Sequence, residues 1–279
     1  MKTLLVINDG SPSARHAAAL ALNVAQSVNA DLILANLVIE KSLAGQVMPV
    51  AAGGEPDMQE KAAKPHGLKD ELTAISAEWA EECKPRISEL DAADLSINDM
   101  VNFVNRNEIW MMVKGVDNDE APQFYLSAHI QSVLNRVMCP LLLVPAKSAL
   151  KNFERMVYMA DLRYCQLPVA KYLAKLAGPF DASLQIAHVS AKGLPDMEEN
   201  YAQHVFNDAV KAAVRYGRLF FNNIRERDLK KVADVLINSM RCDLLVLVNR
   251  QYHFEQLMGH DIVNALPDYL PVPVLVFPN

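Results

Sequence analysis

Short uninterrupted apolar runs alternate along the chain with stretches whose apolar residues recur every three or four positions. Leu4 to Ile7 is such a run, as a parallel strand buried on both faces requires. Asn8-Asp9-Gly10 breaks it, and Ser11 or Ser13 can cap the next helix, with Pro12 in its first turn. That helix is predicted over Ala14 to Val28, with Ala17, Ala18, Ala21, Leu22 and Ala25 on its apolar face, and a second strand over Leu32 to Ile39. Glu40 to Gly67, with Gly53-Gly54, Pro56 and Pro65, reads as an excursion over the surface. Leu68 to Cys83 reads as a helix with Leu72, Ile75, Trp79 and Ala80 inward and Glu78, Glu81 and Glu82 outward, closed by Pro85. A strand candidate follows at Arg86 to Leu90, then a helix over Ile97 to Asn105 on Met100, Val101 and Val104. Ile109 to Val113 is a buried strand, Lys114 to Pro122 a polar loop, Leu126 to Arg136 a helix and Pro140 to Val144 a strand. Alternation of this kind makes an α/β fold on a mostly parallel sheet with right-handed crossovers.

The second half repeats the first. Met156 to Asp161 mirrors Leu4 to Asp9 at a shift of 152 residues, and the same shift places Ala30, Leu32, Leu34, Ala35 and Leu37 on Ala182, Leu184, Ile186, Ala187 and Val189. Cys139 to Pro145 answers Val272 to Pro278 at a shift of 133, so the second copy is 19 residues shorter, largely where Ser190 to Asn200 replaces Glu40 to Gly67. The repeat divides the chain into residues 1–146, a linker at 147–152, and residues 153–279.

Composition narrows the function. A formal charge of −6 with no basic block argues against nucleic acid and anionic membranes as partners. No apolar run is long enough to span a bilayer and the N-terminus lacks a signal-peptide pattern, so the expected location is cytoplasmic. Cys83, Cys139, Cys165 and Cys242 are scattered, as buried reduced thiols would be, and no metal-ligand spacing involves His188, His204 or His253. A Gly-x-Ser-x-Gly elbow, a Walker loop, His-Glu-x-x-His and Cys-x-x-Cys are all missing from the sequence, which leaves no support for an enzyme.

The paired strand-turn signatures, Leu4-Leu5-Val6-Ile7-Asn8-Asp9-Gly10-Ser11 with Ala30 to Val38 and Cys139 to Val144, resemble the universal stress protein family. Ala182 to Val189, Asp243 to Val248 and Pro271 to Val276 are similar in the second half. The resemblance implies two tandem Rossmann-like, adenine nucleotide alpha hydrolase-like domains, each an open five-stranded parallel sheet with helices on both faces. It also implies that the strand-one acids Asp9 and Asp161, with Gly10 and Ser11, and the strand-two ends Val38 and Val189 flank an adenosine. The family's glycine-rich phosphate loop is degenerate here. Gly115 and Ser127 are its remnants in the first copy, beside Asp117, Asp119 and Glu120, and Arg250 and Gly259 stand in its place in the second. Carboxylates where a triphosphate would sit repel it. Arg250 reads either as an anion contact or as a solvated strand end, and His188 as a packed, hydrogen-bonded histidine.

The reading is a non-catalytic stress-response or regulatory binding module. Its alternative is an adenosine-nucleotide binding protein that uses the first domain, with at most slow hydrolysis. No cofactor is certain; ATP or AMP belongs to that alternative. The resemblance further implies that the two last strands pair within the chain, and homo-oligomers or an unknown protein partner are the remaining expectations.

Overall fold

A computed structural model describes residues 1–37, 67–80, 84–117, 128–191, 193–258 and 271–279. The first half contains β1 (Lys2–Asn8), α1 (Pro12–Val28), β2 (Ala30–Asn36), α2 (Leu68–Ser76), β3 (Ile87–Asp91), α3 (Ile97–Arg106), β4 (Met111–Val116), α4 (Ala128–Leu134) and β5 (Leu141–Pro145). The second contains β6 (Arg155–Ala160), α5 (Leu167–Ala177), β7 (Ser183–Val189), α6 (Glu199–Val205), α7 (Ala212–Val214), β8 (Leu219–Ile224), α8 (Leu229–Asp234), β9 (Leu244–Val248), α9 (Tyr252–Met258) and β10 (Val274–Phe277), with π-helical turns at Phe206–Lys211 and Val235–Ser239.

All ten strands lie in one sheet, in the order β3-β2-β1-β4-β5-β10-β9-β6-β7-β8. Within each half the neighbours are parallel. β5 and β10 meet antiparallel, Val274 opposite Leu143 and Val276 opposite Leu141. Leucine, valine and alanine dominate the central strands because both faces of a parallel sheet are covered. One apolar layer packs α1, α2, α5 and α6 on the sheet, with Leu4, Val6, Met156 and Tyr158 beneath them. The other packs α3, α4, α8 and α9 over Leu5, Ile7, Val157 and Met159. On the first side the halves are also joined by Trp110 stacked on Tyr172, whose hydroxyl donates to the Trp110 carbonyl.

Several boundaries depart from the sequence reading. α1 begins at Pro12, two residues early, because the Ser11 hydroxyl accepts the Ala14 N–H and caps it. β2 ends at Asn36; Val38 and Ile39 lie outside the described residues. α2 stops at Ser76, where Ala77 bonds back to Ala74 in a tightened turn and Trp79 folds against the core. Only Leu68, Leu72 and Ser76 of α2 face inward, and Ile75 is 51% exposed. β4 runs through Lys114, Gly115 and Val116, read from sequence as loop, because these residues continue the ladder to Leu143, Val144 and Pro145. No described helix is long and apolar enough to cross a membrane.

Candidate functional site

In the first half, β1 delivers Asn8, fully buried, to its carboxyl end. The Asn8 Oδ1 accepts the Gly10 N–H at 3.1 Å and its Nδ2 donates to Asn36 Oδ1 at 2.7 Å. Asn36 in turn donates to Glu89 at 3.4 Å, so a polar row crosses the ends of β1, β2 and β3. Gly10 sits at φ +78, a left-handed conformation natural to glycine, which turns the chain into α1. Asp9 Oδ1 accepts the Ser11 N–H at 3.0 Å, and its Oδ2 has no partner among the described residues. Asp9, Gly10 and Ser11 thus form one turn around a half-buried carboxylate. Gly115 is beside it for another reason: a Cβ there would lie 2.2 Å from the carbonyl carbon of Ser13, so the residue lets α1 approach β4.

The second half uses the equivalent acid differently. Asp161 is 2% exposed, and both of its oxygens are engaged. Oδ1 accepts from the Arg163 N–H at 3.0 Å and Nε at 2.8 Å; Oδ2 accepts from Arg163 Nη2 at 2.7 Å and the Ala191 N–H at 2.9 Å. Burial alone would raise this carboxyl, but the hydrogen bonds from Arg163 and Ala191, with His188 nearby, hold it below the usual carboxylate range. His188 Nδ1 accepts the Leu162 N–H at 2.9 Å, which puts the ring proton on Nε2, where it is buried without a partner among the described residues. His253 on α9 donates from Nε2 to the Val189 carbonyl at 2.8 Å. Burial pushes its imidazole down to about 4. Asp161, Tyr164, Ala191, Gln251, Tyr252 and His253 line a cavity of about 250 Å³ here.

The family model for the universal stress protein family matches residues 1–145, more than half of the chain. The chain belongs to the universal stress protein family. Among solved structures, a universal stress protein from Archaeoglobus fulgidus is 13% identical, with 99% of this chain and 98% of that one covered at a TM-score of 0.58. A functionally unknown protein from Pseudomonas aeruginosa is 15% identical, with 100% and 92% covered at 0.50. At these identities the likeness is one of fold. No curated protein matches the chain.

The described residues of this universal stress protein bring together some of the sequence-predicted positions and separate others. Asp9, Gly10, Ser11 and Gly115 gather at the β1–β4 end, Asp161 and Val189 at the β6–β7 end, and Arg250 lies in a different, larger cavity with Asn135 and Arg136 of the first half. Val38, Ser127 and Gly259 lie outside the described residues. Asn8, Asn36 and Arg163 were not read as site residues, and His253 was weighed only as a metal ligand. Asn36 had a visible signal, a polar residue interrupting the apolar run from Leu32 to Ile39, and Arg163 stands two residues after the acid it binds; His253 acts through a contact with Val189 that no local pattern reveals. Cys139 and Cys242 are buried and Cys165 half-buried, all with thiols pushed up to about 12 by burial, while Cys83 lies outside the described residues. No cluster of three metal-ligating side chains occurs among the described residues.

Proposed function

We propose that this universal stress protein acts by binding an adenosine-type ligand in its first half, and that occupancy, not turnover, is the output. The observation that carries the reading is the contrast between the two strand-one acids. Among the described residues Asp9 keeps one carboxylate oxygen without a partner beside a preformed turn, whereas Asp161 spends both oxygens on Arg163 and Ala191. A ribose hydroxyl needs such a free acceptor. Asp117, which follows β4 directly, favours a ligand with less phosphate than ATP. Absence of turnover accords with the described thiols, which burial pushes up to about 12 and so holds protonated. Regulation of a stress response through such occupancy is part of the same proposal, as is a cytoplasmic location.

Isothermal titration with AMP and ATP tests it. AMP binds the full chain more tightly than ATP, and Asp9→Ala weakens AMP by about tenfold or more, the loss expected for a hydrogen bond to a charged group. Turnover of ATP by the purified chain, or AMP binding indifferent to Asp9→Ala, would defeat the reading.

A further inference from the structure

We infer that the groove between the two halves is a second binding site, for a small phosphate-bearing molecule, with Arg136 and Arg250 as its anion contacts. A cavity of about 670 Å³ is lined there by Ser96 and Asn98 at the start of α3, by Ser132, Asn135 and Arg136 on and just after α4, and by Arg250 just after β9. The first half supplies this lining except for Arg250, which the second half brings to the groove, so the two arginines meet only in the joined chain.

The residue before Arg250 anchors that side of the groove. Asn249 is fully buried at the end of β9. Its backbone N–H is bonded to the Phe277 carbonyl at 2.8 Å, and its side chain donates to Asn135 Oδ1 at 2.7 Å and accepts from Gln131 at 3.5 Å. This amide network fastens the end of β9 to α4 across the two halves. The next residue, Arg250, takes φ +57, an uncommon left-handed conformation for arginine. It turns the chain at the mouth of the groove.

Charge gives the ligand class. Arg136 donates to Asn98 Oδ1 at 2.7 Å, a neutral partner, and Arg250 has no ion pair among the described residues. Two guanidinium groups therefore line one cavity in a chain of net charge −6, and among the described residues neither is bound by a carboxylate. Asp99, the acid of the first turn of α3, is held by the Ser96 N–H and hydroxyl in a capping box. Guanidinium forks match phosphate geometry, and the Asn98 and Asn135 amide N–H groups supply polar contacts for the body of the molecule. This groove is separate from the Asp9 turn, so the two sites stand or fall independently.

Titration of the full chain with pyrophosphate, followed by calorimetry, is the test. Saturable binding is expected in the unmodified chain. Arg250→Asn, which tolerates the left-handed backbone, and Arg136→Gln each weaken it tenfold or more, and Asp9→Ala leaves it unchanged. Far-ultraviolet circular dichroism and the melting temperature of each variant identify any that misfolds, and Arg250→Gly then serves as the second probe of the same backbone position. Absence of saturable pyrophosphate binding, or equal binding by well-folded Arg250→Asn and Arg136→Gln, would overturn the assignment.

Discussion

A β-carbon on Gly115 would collide with the backbone of Ser13 and Ala14, the nearest atoms lying 2.2 to 2.6 Å away. Backbone cannot swing aside as the end of a side chain can, so Gly115→Ala should cost about 3 kcal/mol through displacement of α1 from β4. Chemical denaturation would read this as a lower midpoint, and an unchanged midpoint would mean that the helix has room to spare. The same residue marks the limit of reading sites from sequence. Gly115 stands out as a remnant of a phosphate loop, yet its partner is the start of a helix far earlier in the chain. Asp9 and Asp161 have the opposite lesson. Their equivalence is legible from the repeat, whereas the difference between a half-engaged and a fully engaged carboxylate depends on Arg163 and Ala191, visible only once the loops have folded.

At the scale of elements, α9 is tied to the end of β7 by the bond from His253 to the Val189 carbonyl, inside a buried setting. The imidazole titrates at about 4 in the folded chain against about 6.5 when unfolded, so the unfolded chain binds more protons between those values. Stability therefore falls as the pH drops through that window, by about 2 kcal/mol between pH 7 and pH 5 from this residue. His188, also lowered chiefly by burial, acts in the same direction. Asp161, held below the usual range, adds its loss only at more acid pH. Urea midpoints at pH 7 and pH 5 measure the effect, and His253→Gln should flatten much of it; an equal slope in the variant would place the sensitivity elsewhere. The elements themselves were largely legible. Doubly covered strands such as Leu4 to Ile7 and Leu244 to Val248 must be apolar throughout, and α3 shows its buried face in Met100, Val101 and Val104. The end of α2 was not, because Ser76 and Ala77 carry no stop signal and the turn is set by Trp79 finding the core.

For the whole molecule, the β5–β10 ladder turns two five-stranded sheets into one, with apolar layers on both faces that include residues of each half. Val276 is completely buried in that seam, opposite Leu141 and beside Leu247. Val276→Lys places an unpaired charge there and should cost more than about 3 kcal/mol, opening or unfolding the chain as a whole. Solution scattering and thermal melting would reveal it; an unchanged radius of gyration and melting temperature would show that the seam does not hold the halves together. Antiparallel joining also points the carboxyl ends of the two sets of strands in opposite directions. A dimer of identical chains must carry the same residues at both ends, and a change at one is copied at the other. Covalent fusion lifts that constraint: here one pole could retain a half-engaged acid while its counterpart was sealed by an arginine, so divergence of the halves becomes a route to division of labour.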